Sequence, residues 1–410
     1  MLIQLYKNAY TGLSRNSWYL CLVMFINRAG TMVVPFMTIY CTQQLHFSTG
    51  QAGLILGLFG AGAITGAFLG GKITDKIGFY DLQIFALFAG GIFFILLGFQ
   101  TSFLTLAVGA FVLSMCNDSF RPANSAAIAH YSPPESRTRS YSLNRLAINL
   151  GWAFGGAIGG YLASFNYHLL FWVDGSTNIV AAIMLLILIP RTKVTAEVRN
   201  KGTELPEASS PYRDGIYLLF IGLVVLYAIC FFQMFTMQPL FYKTQWHFNE
   251  RFIGTLMALN GVIITVVEMV MIHNLEGKKH PLSFISIGVL LVGLGFVVLN
   301  LFPGVKLSGL LVILLITFGE MMSMPFMNSF WISRTTANNR GAYAALYTMA
   351  WSLAQAIGPP VGSQVIQHQG FVTFWWILGA VCATASLGFV LLYRYNYSRK
   401  ATAQALVQSN

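Results

Sequence analysis

Charge is what this sequence has least of. Only 9% of its 410 residues are Asp, Glu, Lys or Arg, where a soluble domain carries roughly 25%. A chain this long can bury a large core, but too little polar surface remains here to clothe one, so a soluble globular fold is excluded. Acidic residues are scarcest, 13 against 24 basic, for a net charge of +11. In a soluble protein that excess would point to nucleic acid. Here the basic residues fall in short loops between apolar runs, so they set membrane orientation and no nucleic-acid partner is expected. Cysteine is sparse too: Cys21, Cys41, Cys116, Cys230 and Cys382 lie scattered, mostly inside apolar runs. They have neither metal spacing nor the look of a disulfide framework. There is no phosphate-binding lysine loop, no Ser-His-Asp arrangement and no His/Cys metal motif. The expectation is no enzyme, no metal and no cofactor. Residues 1–15 lack the short apolar core and cleavage site of a secretory signal, which leaves the first apolar run as an uncleaved insertion signal.

Long apolar runs are what the chain has instead. Twelve can be counted: 17–41, 51–74, 82–99, 103–130, 140–165, 169–189, 216–242, 252–273, 282–301, 307–333, 342–366 and 371–393. Each suits a helix crossing a bilayer with some tilt. The alternating polarity of a barrel strand is missing. The fold class read here is an all-α membrane protein with 12 transmembrane helices. With the N-terminus inside, the inner segments hold eighteen Lys and Arg, while the outer loops hold only Lys243, Arg251 and Lys306. That asymmetry places both termini in the cytoplasm of a multi-pass protein of the plasma membrane, or of the inner membrane in a Gram-negative cell.

The chain also repeats itself. A step of 203 residues takes Pro122 to Pro325, Arg137 to Arg340, Gly155 to Gly358 and Gly159 to Gly362. A step of 201 takes LHFS at 45–48 to WHFN at 246–249, and Gly53 and Gly60 to Gly254 and Gly261. This predicts two pseudo-symmetric six-helix bundles, 1–190 and 216–410, joined by a polar cytoplasmic linker at 191–215 that carries Pro206 and Pro211. Two parallel halves about a central loop is a transporter plan, with the solute near mid-membrane where they meet.

At these residues the chain resembles the major facilitator superfamily over nearly its whole length. GGKITDKIGFYD, from Gly70 to Asp81, is similar to the family's signature between the second and third helices. It keeps Gly71, Asp75 and Gly78, with Phe79 and Tyr80 where a basic pair is usual. The resemblance implies that these three residues form a conformational latch, Asp75 acting near a helix N-terminus; the alternative is a loop charge serving orientation only. The counterpart in the second half keeps Asn274, Gly277, Lys278 and Lys279. GWAFGGAIGG at 151–160 resembles an antiporter signature of the fifth helix, with Gly156 in place of its proline, and 358–363 mirrors it. Small residues at that spacing permit close helix packing, with or without a gating role.

A narrower resemblance is to the proton-dependent oligopeptide transporters. Asn27-Arg28 stands where that family has Glu-Arg, Phe120 to Asn124 resembles its Phe-Lys-Pro-Asn run with Arg121 for Lys, and Gly319-Glu320 resembles its Gly-Glu. The first-helix carboxylates are replaced by Met24 and Asn27. Drug-proton antiporters share much of the pattern.

Intramembrane charge is rare and tends to mark a pathway or site. The cations Arg28, Arg121 and Arg145 all fall in the first half, with Asp118 and Asp174; the second half has Glu268 and Glu320. A cavity positive on one wall and acidic on the other suits a zwitterion, since an arginine fork takes a carboxylate in two hydrogen bonds and a carboxylate takes an amine. Glu320 leads as the proton carrier, with Glu268 and Asp118 beside it. Asp118 also stands one turn from Arg121 and can neutralise it instead. Arg145 can snorkel to the inner surface, and Asp174 can serve helix packing. Arg28, Arg121, Tyr40, Asn124, Asn144, Asn149, Gln233, Asn328 and Trp351 are the candidate solute contacts, with Trp331 near them. The expected function is secondary active transport by alternating access. A monomer would move a small zwitterion such as a short peptide, with protons from the gradient as the coupling partner. A multidrug-proton antiporter is the alternative, and a non-transporting sensor on the same scaffold a third.

Overall fold

The computed structural model describes residues 12–133, 137–191, 210–275, 278–335 and 340–408. Most of the 191–215 linker and residue Gly277 lie outside them. The described residues contain no strand. Eleven helices are long and apolar enough to cross a bilayer. In chain order they are α1 (Arg15–Gln44), α2 (Thr49–Ile77), α3 (Phe79–Leu97), α4 (Phe103–Tyr131), α5 (Arg137–Ala163), α6 (His168–Leu188), α7 (Gly215–Thr244), α8 (Glu250–Leu275), α9 (Pro281–Leu301), α10 (Lys306–Ser333) and α11 (Arg340–Gln408). The last is two helices in one. Gly370 sits at φ 81°, ψ 172°, outside the helical region and in one that only glycine enters without strain, so the path turns there. The predicted runs 342–366 and 371–393 fall on either side of it, which completes the twelve crossings.

Polar side chains close several of the helix starts. Ser48 and Gln51 form a reciprocal capping box on α2, and Ser102 accepts the Thr105 N–H at the start of α4. Besides α11, three helices are interrupted: α1, α4 and α7, the last at Met237 between Thr236 and Gln238. In α4 the regular turns stop at Asp118 and resume at Phe120. Pro122 explains this, since it has no N–H and its ring crowds the carbonyl four residues back, that of Asp118. In α1 the break is at Gly30–Met32, followed by a π-helical turn at Tyr40–Gln44.

The internal repeat survives as geometry. Among the described residues His46 and His247, at equivalent places in LHFS and WHFN, are the non-glycine residues with positive φ, 56° and 53°. The Phe47 N–H donates to the Cys41 carbonyl and the Phe248 N–H to the Tyr242 carbonyl, both at 2.9 Å. One turn has been written twice.

Contacts divide the chain into two compact units, Met1–Asn200 with Tyr242–Thr265, and Lys201–Phe241 with Val266–Asn410. Inside the first, α5 meets the N-terminal part of α8 backbone to backbone. A Cβ added at Gly160 would lie 2.4 Å from the Glu250 carbonyl oxygen and 2.7 Å from the Gly254 Cα. Close helix approach, expected from the glycine run, is what these residues provide. The same end of the two helices carries a polar cluster. The Tyr167 hydroxyl donates to Glu250 Oε1 at 2.7 Å, and Lys243 Nζ reaches the same oxygen at 2.7 Å. Arg251 Nε donates to Ser164 Oγ at 2.9 Å and its guanidinium lies over the Tyr161 and Phe165 rings. Burial and the neighbouring Glu250 carboxylate push the Tyr167 phenol above its ordinary range.

Gly160→Leu should therefore lower the thermal midpoint of the purified protein. The obstruction is backbone that cannot move aside, and overpacking of that kind costs roughly 1–3 kcal/mol. Gly222→Ala, at a position with nothing within 4 Å of the new methyl, should hold or raise it. A fluorescence melting curve in detergent checks both.

Candidate functional site

In the first unit the site is built around the break in α1. Asp174 of α6 is fully buried. Its Oδ1 accepts the Met32 N–H at 3.0 Å and its Oδ2 the Val33 N–H at 2.8 Å. It thus caps the segment of α1 after the break from another helix, receiving the Val33 N–H and sharing the Met32 N–H with the Gly30 carbonyl, which accepts it at 3.1 Å. One turn on, Asn178 accepts from Asn27 Nδ2 at 2.8 Å and donates to the Asp174 carbonyl. Between them Thr177 presses on the turn, its Oγ1 only 1.8 Å from where a Gly30 Cβ would stand. On the opposite side α5 gives room. A Cβ at Gly151 would strike the Arg28 Cβ at 2.4 Å, and one at Gly155 would lie 3.2 Å from the Ala29 and Thr31 carbonyl oxygens.

Arg28 stands just before this break. Its Nε is buried without a hydrogen-bond partner. The charges it feels are those of Arg121 and Asp118, with Asp174 turned to the α1 backbone. Arg121 Nε pairs with Asp118 Oδ1 at 2.7 Å, and Asp118 Oδ2 also accepts from Ser114 Oγ at 3.1 Å. The carboxylate is buried while half the arginine side chain is exposed. Of the two readings left open for Asp118, pairing within its own helix is the geometry observed. Gln83 donates to Asn124, and Asn124 donates to Asn144, both at 3.3 Å, which joins two candidate solute contacts across α3, α4 and α5. Asn149 is half-buried and Arg145 exposed. Tyr40 is elsewhere, buried in a ring cluster with Tyr167, His168 and Phe171, its hydroxyl without a partner.

In the second unit Glu320 is half-buried on α10. Its charge acts on Tyr227, whose hydroxyl hydrogen-bonds Ser323 Oγ at 2.8 Å. Gly319 beside it lets α10 close on α9, where a Cβ would meet the Gly288 carbonyl oxygen at 2.6 Å. Trp351 of α11 packs edge-on against Tyr227, Phe231, Phe232 and Tyr347, with its indole Nε1 buried and unpartnered. Gln233 donates to the Gly358 carbonyl at 2.8 Å, tying α7 to α11. Asn328 accepts from the Trp331 indole at 3.1 Å, within one turn of α10. Glu268 is buried in α8. Among the described residues no cluster of His, Cys, Asp and Glu is set to hold a metal.

Of the latch residues, Gly71 has open space around it, and Gly78 takes φ 89° at the turn between α2 and α3, which favours glycine there. The Asp75 side chain lies outside the described residues. Next to the turn, Asp81 accepts from Arg191 at 3.0 Å.

One cluster was missed by reasoning from the sequence. Asp214 caps α7 through the Tyr217 N–H. It also takes Arg334 in two hydrogen bonds, Nε to Oδ2 at 2.8 Å and Nη2 to Oδ1 at 2.7 Å, and Tyr343 Oη at 3.1 Å. An Asp directly ahead of an apolar run is a helix-start signal that was available. Its ion-pair partner, 120 residues away, was not.

Twelve apolar helices, written as two repeats and bearing buried charge at a helix break and beside a proline, define a polytopic protein of the secondary-transporter class. The chain belongs to the Major Facilitator Superfamily, whose profile matches residues 20–359. It is 26% identical over 416 residues to a Na(+), Li(+), K(+)/H(+) antiporter of Planococcus maritimus, covering 92% of this chain and 95% of that one. To the class H tetracycline resistance protein of Pasteurella multocida it is 21% identical, over 87% of this chain and 89% of the other. In structure it is similar to a POT family transporter crystallised with 5-aminolevulinic acid, at TM-score 0.79 and 15% identity, covering 93% and 96% of the two chains.

Asp214→Ala and Arg334→Ala should each destabilise the protein, and the double variant should cost less than their sum. The pair is mostly buried, so a double-mutant cycle on melting free energies should give a coupling of roughly 0.5–3 kcal/mol.

Proposed function

We propose that this protein is a secondary active transporter of a small organic solute carrying both an anionic and a cationic group, such as a short peptide. It works as a monomer in the plasma membrane by alternating access, coupled to the proton gradient. The observation that carries the reading is Arg28, a cation inside the bilayer span with a buried donor and no partner for it. An arginine so held favours an anionic ligand, because binding one satisfies the donor and offsets the charge. The half-exposed Arg121 offers a second fork on the same unit. Glu320 and Glu268, in the second unit, are the candidate proton carriers. The likeness to a transporter crystallised with 5-aminolevulinic acid, a molecule with an amine at one end and a carboxylate at the other, agrees in chemistry. Loading Glu320 with a proton on one side of the membrane and unloading it on the other is the coupling step.

A multidrug-proton antiporter is the second reading. It is favoured by the ring cluster about Trp351, which suits a lipophilic cation, and by the likeness to a tetracycline resistance protein.

Proteoliposomes given radiolabelled dialanine under an inward proton gradient separate the two. Concentrative uptake is expected, and its loss when the peptide carboxylate is amidated. Arg28→Lys, which keeps the charge and removes the fork, should raise KM about ten- to a hundredfold, the worth of one or two charge-assisted hydrogen bonds. Glu320→Gln should abolish gradient-driven accumulation and spare exchange. Indifference to the carboxylate, with export of ethidium, would favour the drug pump; concentrative uptake by Glu320→Gln would remove Glu320 as the carrier.

A further inference from the structure

Asp174 is a fully buried carboxylate for which the proposed transport cycle has no duty. Both its oxygens face backbone N–H groups of α1, and Oδ2 lies near two of them, 3.1 Å from Met32 N and 2.8 Å from Val33 N. We infer that Asp174 is a positioning residue for Arg28: from α6 it holds α1 open between Gly30 and Met32, and the open turn fixes where Arg28 points. The inference rests on the reading that Arg28 receives the solute's anionic group.

Within a bilayer span each backbone N–H needs an acceptor supplied by the protein. In an unbroken α1 the Met32 N–H would donate to the Arg28 carbonyl and the Val33 N–H to that of Ala29. Instead the Arg28 carbonyl accepts the Thr31 N–H at 3.0 Å, in a tighter turn; the Met32 N–H is shared between the Gly30 carbonyl at 3.1 Å and Asp174, and the Val33 N–H goes to Asp174. A carboxylate is well suited to two or more N–H groups at the positive end of a helical segment. Without it the Val33 N–H would be left bare in apolar surroundings and the Met32 N–H held only by the Gly30 carbonyl, or both would be forced back onto the Arg28 and Ala29 carbonyls. Closing the turn in that way rewinds α1 and carries Arg28 round with it. Three neighbours keep the open form in register. The Asn178–Asn27 bond fixes the residue before Arg28, Thr177 fills the space at Gly30, and α5 leaves room at Gly155 for the displaced carbonyls. Arg28 is therefore aimed from the α6 side by a residue that does not share its charge.

Two measurements that need no solute test this. Spin labels at Leu22→Cys and Gln43→Cys, in a background without the five native cysteines, report the distance across the break. The protein with Asp174 should give one narrow distance, and Asp174→Asn a shifted or broadened one. Asp174→Asn keeps the shape but turns an amide donor toward the α1 donors. Phenylglyoxal modification, read by peptide mass mapping, should change severalfold at Arg28 and stay level at Arg121. Where Asp174→Asn yields too little protein, Asn178→Ala loosens the same clamp one turn away and should move both readouts in the same sense. An unchanged distance together with an unchanged Arg28 reactivity in a folded variant overturns the inference. Failure of wild-type dialanine uptake would strike the solute reading alone, since neither measurement depends on it.

Discussion

A backbone inside a bilayer has no water to hydrogen-bond, so each N–H and C=O must find its partner in the protein. That constraint makes the described spans helical and sets a condition on each interruption. The break in α4 is tolerated because Pro122 brings no donor. The turn at Gly370 is tolerated because glycine adopts its conformation without strain. The break in α1 displaces the Met32 and Val33 N–H groups from their helical acceptors, and Asp174 comes from α6 to receive them. Each interruption thus has its own solution, and the costliest lies beside Arg28.

The same scarcity orders the charges. With 13 acidic residues in the chain, most of those described answer a definite demand. Asp174 meets backbone donors, Asp118 meets Arg121, Asp214 meets Arg334, Asp81 meets Arg191, and Glu250 meets Lys243 and Tyr167. After these pairings Arg28 keeps a donor with no acceptor. An ion pair within one unit contributes to its stability and leaves little attraction for a ligand; a cation left over does the reverse. Arg28 is accordingly the more informative of the two arginines, though Arg121 has the more exposed side chain.

Duplication gave two copies of one scaffold and then let their chemistry part. The turns at His46 and His247 still match atom for atom in their closing hydrogen bond. At the helix starts the copies differ. Ser14 caps α1 and donates to the Tyr131 carbonyl, a neutral contact, whereas Asp214 caps α7 and binds the Arg334 guanidinium. The small-residue helices also keep their place with new partners. Gly155 makes room for α1 carbonyls, while the carbonyl of its repeat mate Gly358 accepts a hydrogen bond from Gln233 of α7. Backbone turns depend on a few residues, so they persist. Side-chain partners can change one at a time, so they drift.

The sequence alone determined the spans, their number, the repeat and the class. Hydrophobic length and the placement of Lys and Arg are local properties, and a bilayer reads them locally. It also marked Arg28, Arg121 and Glu320 as the charges to follow, because intramembrane charge is rare enough to stand out in one dimension. What it left undecided were the partners. Asp118 beside Arg121 admitted two readings until the 2.7 Å contact was seen. Tyr40, with the composition of a cavity residue, belongs to a ring cluster at Tyr167 and Phe171. Asp174 looked like a packing residue because its partners are backbone N–H groups 141 and 142 residues away. A backbone N–H carries no signature in sequence, since every residue but proline has one. Only the fold, by opening one helix in front of another, decided which of them would need a carboxylate.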